Sequence, residues 1–188
     1  MAISARDDQD IAALLDRQAA RSSCLLAWLG QAGFVIRCGQ ALMVIDPYLS
    51  DSLAEKYRGT TFPHVRLMPP PIAPADLVPV DAVFCTHAHT DHMDPDTLSV
   101  VARRNPRARF VVPRAASEAA VLRGVPQDRI LPLNAGERAG VAPGISVYAV
   151  ASAHEELRTD TEGNHHFLGY VIETDAGVLY HSGDCAPY

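Results

Sequence analysis

Lysine is almost absent from this 188-residue chain: Lys56 is the only one, and arginine supplies the other basic side chains. With 16 basic against 22 acidic residues the formal net charge is −6, and no basic stripe forms along the sequence. That balance argues against long nucleic-acid partners or an anionic membrane surface, both of which need clustered positive charge. A small anionic substrate stays open, because bound cations would bring their own positive field. Long apolar runs are also missing, and no stretch reaches the length that spans a bilayer. The N-terminal stretch 1–23 has acidic residues where a secretory signal needs a basic start and an apolar centre, so the expectation is a cytoplasmic protein. There are four cysteines and no CxxC spacing. Cys24, Cys38 and Cys85 lie in apolar, strand-like contexts and are expected to be reduced core residues, not disulfide partners.

What is present describes an ordinary globular chain. Hydrophobic residues make up 48% and charged residues 20%, enough to bury one substantial core, and the reading is a single domain over 1–188. Ile11, Leu14, Leu15 and Ala19 stand at helical spacing and predict a short amphipathic helix from Asp8 to about Ala20. SCLLAWLG, FVIRCG and ALMVID follow as three short strands joined by glycine turns, an antiparallel meander that stops at Asp46-Pro47. Residues 48–79, rich in proline, read as a surface excursion, with one helical turn at Leu53 to Tyr57. DAVFCTH is then a buried strand, and Asp94-Pro95 marks a helix N-terminus, the helix running from Pro95 to about Arg104. Strand RFVVP, a helix from Ala115 to about Leu122, strands RILPL and ISVYAVASA, a polar loop, and strands FLGYVIET and GVLYHSG complete the pattern. Strands with interspersed helices imply sheets covered by helices, an α/β layered domain.

The stretch with the most chemistry is Thr86-His87-Ala88-His89-Thr90-Asp91-His92. The strand period of two points His87 and His89 the same way as the strand ends. Asp91 and His92 fall on the loop before the Asp94 cap and can turn toward a second ion. A packing role has no use for three adjacent imidazoles, whose protonated forms repel one another. A metal centre does.

This H-x-H-x-D-H spacing at the end of a hydrophobic strand resembles the metallo-β-lactamase superfamily. The resemblance covers the chain from about residue 24 onward and implies an αββα four-layer sandwich with its metals at one edge of two sheets. Trp28 to Phe34, Thr86 to His92, Gly163 to Tyr170 and Leu179 to Asp184 are most similar to the L-ascorbate-6-phosphate lactonase-like group. The resemblance further implies that His154, ending ISVYAVASA, is the third histidine, and that Asp184 bridges two metals. One ion would take His87, His89 and His154, the other Asp91 and His92. Family members continue past the bridging aspartate to a last histidine, so the expectation is the N-terminal portion of a longer fold. Sheet surface left apolar by that shortfall would favour self-association, a possible homo-oligomer.

The implied chemistry is that of a metal-dependent hydrolase, in which two divalent ions hold a hydroxide that attacks a carbonyl or phosphoryl centre. Imidazole and carboxylate donors suit zinc, manganese or iron. Asp91 is the candidate catalytic residue, orienting the nucleophile or shuttling its proton. The substrate would be a small-molecule lactone, ester or phosphate-containing compound. Nuclease or phosphodiesterase chemistry is an alternative, and a catalytically incomplete metal-binding scaffold is another. Asp46 either ends a strand before Pro47 or accepts a hydrogen bond from a ligating histidine. His181 lies beside Asp184 and is assigned a supporting role behind the ligands. Tyr48, Lys56 and Arg58 of the long loop, with His165 and His166, are candidate substrate contacts. Cys185 directly follows Asp184.

Overall fold

The computed structural model describes Ile11, Leu15, Ala20 and residues 22–188. Ile11 and Leu15 are buried; the remainder of the helix expected from Asp8 lies outside the described residues. Strands β1 (Cys24–Gly30), β2 (Gly33–Cys38) and β3 (Ala41–Ile45) form the expected antiparallel meander. The excursion after β3 holds one short helix, α1 (Ser52–Lys56), where a single helical turn was anticipated.

β4 (Ala82–Phe84), β5 (Arg109–Pro113) and β6 (Ile130–Leu133) then add in parallel, giving one six-stranded sheet in the order β1-β2-β3-β4-β5-β6. Parallel neighbours need crossovers, and α2 (Pro95–Arg104) and α3 (Ser117–Leu122) supply them. α2 begins as its sequence demands: the Asp94 carboxylate accepts from Thr97 N, and Pro95 opens the first turn. Its buried face is Thr97, Leu98, Val101 and Ala102, and Arg103 and Arg104 close the last turn, where positive charge suits the helix dipole. α3 is shorter than expected, because residues 114–116 tighten into a 3₁₀ turn before it.

The second sheet has four antiparallel strands in the order β10-β9-β8-β7: β7 (Arg138–Ala142), β8 (Ile145–Ala151), β9 (Leu168–Thr174) and β10 (Gly177–His181). β7 escapes sequence reading because RAGVA offers alanine and glycine where a strand signal needs β-branched alternation.

Two cores result. Leu42, Val44, Val83 and Phe110 face α2 and α3 on one side of the large sheet. Met43, Ile45, Phe84 and Val111 face Val147, Ala149, Tyr170 and Ile172 of the second sheet on the other. Burial on both sides explains why β3 and β4 are apolar without alternation. The described layers therefore run helix, sheet, sheet, an α/β arrangement of the αββα kind. The outer face of the second sheet leaves Tyr148, Val178 and Tyr180 exposed.

One expectation is overturned. Cys24 and Cys38 are bonded to each other, with Cα atoms 4.2 Å apart. They are 14 residues apart in sequence, yet the β1–β2 register places them directly opposite. Wide spacing in sequence concealed an adjacency that the hairpin creates. Cys85 is free and buried, as expected, and Cys185 is free and exposed. No helix among the described residues is long and apolar enough to cross a membrane.

Candidate metal centre

β4 ends at Phe84, and the chain beyond it is held at three points before it reaches α2. Cys85 N donates to Val111 O at 2.9 Å, Leu168 N donates to Thr86 O at 3.0 Å, and Met93 N returns to His89 O at 2.8 Å. This compact turn gathers the imidazoles. His87 and His92 are buried, with ring centroids 4.0 Å apart; His87 and His89 are 4.6 Å apart. His154, just past the end of β8, closes on His89 at 4.8 Å.

Two overlapping sets of donor atoms form. Nitrogens of His87, His89 and His154 lie within 4.8 Å of one another, and so do donor atoms of His87, His92 and Asp184. Asp184 Oδ2 stands 3.2 Å from His92 Nε2 and 3.9 Å from His154 Nε2, between the two sets. Asp91 joins neither set; its Oδ2 is 3.8 Å from His92 Nε2 and its side chain is one-third exposed.

Asp46 organises the buried side of this cluster. Its Oδ1 accepts from Thr86 N at 2.7 Å, and its Oδ2 accepts from Thr86 Oγ1 at 2.8 Å. His92 Nδ1 lies 2.9 Å from Oδ2 and His181 Nε2 lies 3.0 Å from it. Asp46 therefore directly follows β3 and also accepts from the clustered His92 from behind. It does so in a left-handed backbone conformation, φ 45°, which costs a non-glycine residue of order 1–3 kcal/mol and persists only where surroundings enforce it. Gly33 makes room for it, since a Cβ there would meet Asp46 O at 2.7 Å. Burial alone would push the Asp46 carboxyl up, but the hydrogen bonds and charges of His181 and His92 outweigh it and hold it below the usual carboxylate range.

The same hydrogen bonds fix a tautomer. Thr86 Oγ1 donates to Asp46, so it accepts from His87 Nδ1 at 3.0 Å. His87 Nε2 is then unprotonated, and it is the one buried side-chain nitrogen or oxygen among the described residues with no hydrogen-bond partner. A buried lone pair left bare is costly; a cation is the partner that fits it, and the surrounding imidazole and carboxylate donors suit a divalent one. Burial and the neighbouring charge of His92 push the His87 pKa down to about 3. His89 is lowered by burial and by His154. Burial opposes charge on His92 as well, but its hydrogen bonds to Asp184 and Asp46 raise its pKa to about 10. The hydrogen bond from His92 is also what lowers Asp184 most.

The sequence-derived substrate contacts fare differently. Tyr48 is fully buried, and its hydroxyl accepts from Leu53 N at 3.1 Å. It is a packing residue of the loop, and its assignment to the substrate side is corrected here. Arg66 ties the same loop down by donating to Tyr48 O at 2.7 Å and to Leu29 O at 3.2 Å. Lys56 and Arg58 are exposed, Lys56 lying over the Tyr57 ring. The His165 ring is held on Asn134 Oδ1 at 2.9 Å, and His166 is half-buried. A cavity of about 470 Å³ lined by Cys38, Gln40, Asp81 and Asp175 lies at the opposite ends of β3 and β4, away from the histidines.

Sequence reasoning missed three contributors. Thr86 sets the His87 tautomer. Gly183, at φ 62°, lets the chain pass Thr86, which a Cβ there would approach to 2.8 Å. Phe167 packs against His87, His89 and His154, with ring centroids 5.2, 5.9 and 5.4 Å away. A phenylalanine before a strand carries no mark of what it faces.

Four histidines and two aspartates at the ends of two stacked sheets define a mixed α/β protein with a histidine–aspartate centre. Residues 43–188 match the family described as the beta-lactamase superfamily domain, and the chain belongs to it. A metal-dependent hydrolase of Pyrobaculum aerophilum is 27% identical over 164 residues, covering 86% of this chain and 61% of the relative. A metal-dependent hydrolase of Myxococcus xanthus is 29% identical over 177 residues, covering 90% and 55%. The chain thus spans about three fifths of the length of these two relatives. Among solved structures, an isothiocyanate hydrolase from Delia radicum gut bacteria superposes with a TM-score of 0.64 at 22% identity, over 87% of this chain and 63% of that one. At that identity the likeness carries the fold, which is that of the metallo-β-lactamase superfamily.

Proposed function

We propose that this chain is the metal-holding portion of a metal-dependent hydrolase acting on a small molecule whose scissile centre is a lactone, ester or phosphate. The observation that carries the reading is the bare, buried Nε2 of His87, shared by two sets of donors. Its relatives' names as metal-dependent hydrolases point the same way.

His87, His89 and His154 would hold one divalent ion, and His92 with Asp184 would hold a second. Zinc, manganese and iron all suit these donors. Such ions supply Lewis acidity and lower the pKa of bound water toward neutrality. The protein's own part is orientation. Asp46 fixes the His92 ring through Nδ1, and Thr86 fixes His87 in the tautomer that offers Nε2. In the metal-free protein His92 Nε2 faces Asp184 Oδ2 at 3.2 Å as the donor, and His92 would have to give up that proton to help hold a cation. Asp91, one-third exposed and 3.8 Å from His92 Nε2, would orient water or carry its proton. A lactone is the substrate the motif resemblance favours, and the net charge of −6 does not favour a nucleic acid.

The test is metal content per chain by elemental analysis, for the wild type and for His89→Ala. Metal in the wild type that falls in the variant supports the reading and justifies a screen of lactones, esters and phosphodiesters. No metal in either protein refutes it.

A further inference from the structure

Phe167 is the residue at this centre that hydrogen bonding does not account for. It is half-buried, and its ring meets the three imidazoles of one donor set, His87, His89 and His154. The interplanar angles are 48°, 71° and 39°. The backbone explains how it comes to stand there. Phe167 O accepts from Ser152 N at 3.2 Å, two residues before His154, and the next residue, Leu168, donates its N–H to Thr86 O at 3.0 Å, one residue before His87. The segment entering β9 is therefore bonded to both strand ends that present histidines. Its ring is carried into the angle between them.

An aromatic ring in that place has a definite consequence. Neither His89 nor His154 has a buried carboxylate behind it comparable to Asp46 behind His92; among the described residues their ring contacts are with one another, with His87 and with Phe167. Among the described residues no protein hydrogen bond holds those two ring planes, His154 Nε2 standing 3.9 Å from Asp184 Oδ2, and packing against neighbouring rings does. Edge and tilted contacts between flat rings prefer particular orientations, and an apolar wall also keeps water off one side of the donors.

We propose that Phe167 is a positioning residue for the trihistidine set, pre-orienting His89 and His154 so that their nitrogens converge with His87 Nε2 before any cation arrives. The proposal rests on the metal reading above. Phe167 does for these two imidazoles by shape what Asp46 does for His92 by charge.

The experiment compares the wild type with Phe167→Ala, Phe167→Leu and Phe167→Tyr. Metal-free protein is titrated calorimetrically with zinc alone, its urea melt is recorded, and its histidine side-chain nitrogen and carbon NMR signals are assigned. Phe167→Ala should bind zinc about 10- to 100-fold more weakly, the scale of a lost supporting contact, with Phe167→Leu intermediate and Phe167→Tyr close to wild type. In the metal-free protein the His87, His89 and His154 signals should move, while His181, whose ring contact is with Phe34, stays. Unchanged zinc affinity with unmoved histidine signals, even with a lowered urea midpoint, would reduce Phe167 to packing and overturn the proposal. Absence of zinc binding by the wild type overturns the metal reading itself, and this inference with it.

Discussion

Replacing Asp46 by asparagine tests the frame of the site most directly, because the exchange keeps the shape and removes only charge and acceptor capacity. Every group around the carboxylate is a donor: Thr86 N at Oδ1, and Thr86 Oγ1, His92 Nδ1 and His181 Nε2 at Oδ2. The new amide nitrogen must take one of the two positions. At Oδ1 it faces the Thr86 N–H, 2.7 Å away, and leaves a buried donor unpaired. At Oδ2 it confronts the Thr86 hydroxyl and two imidazole nitrogens, and His92 must then give up its Nδ1 proton and keep the one on Nε2, the atom needed for metal. A buried unpaired donor costs about 1–3 kcal/mol, and lost hydrogen bonds to a charged group add a similar amount. The expected loss is about 3 kcal/mol in metal-free protein. With a urea m-value of about 2 kcal/mol/M, the midpoint falls by about 1.5 M. Metal affinity should fall about 10- to 100-fold in parallel, as for other partners behind a ligating histidine. Both quantities come from one purified variant, by urea denaturation followed by circular dichroism and by zinc calorimetry. A midpoint within about 0.2 M of wild type, together with unchanged affinity, would refute the account of Asp46, since that m-value leaves less than about 0.5 kcal/mol for it.

Three further outcomes are expected. Gly183→Ala should weaken metal binding in a zinc titration, because Gly183 sits at φ 62° and a Cβ would press on Thr86 at 2.8 Å, displacing either the His87 tautomer partner or Asp184; unchanged affinity would show that the contact relaxes without moving the donors. In metal-free protein, His87 favours the neutral form, so its stability is full above its ordinary pKa of 6.5 and lost as pH falls toward 3. His92 is the reverse, with stability full below 6.5 and lost as pH rises toward 10, so urea midpoints should decline on both sides. His92→Gln should remove the alkaline decline between pH 6.5 and about 9, above which the buried Cys85 thiol adds its own. Finally, Cys24→Ser/Cys38→Ser should cost about 3 kcal/mol, the scale of a loop of about 15 residues, while zinc affinity stays unchanged; the pair lies at the far end of the β1–β2 hairpin from the Gly33 turn that abuts Asp46.

The sequence by itself determined the strands around the centre, the Asp94-Pro95 start of α2, and the clustering of His87, His89 and His92. These are short-range facts: a period of two, a cap three residues from its partner, ligand types packed into one turn. His154 and Asp184 were reachable only through resemblance, because nothing local in ASAHEE or SGDCAP says which histidines they will meet. Tertiary structure alone decided the rest. The Cys24–Cys38 bond depends on hairpin register, and the burial of Tyr48 depends on how the long loop folds back over Arg66. Asp46 gains its part from Thr86, His92 and His181, the last of these 135 residues away, and Phe167 gains its part from two strand ends that its backbone happens to join. Local pattern fixes what a residue can offer. Only the meeting of distant segments fixes which lone pair is left bare, and which ring stands behind it.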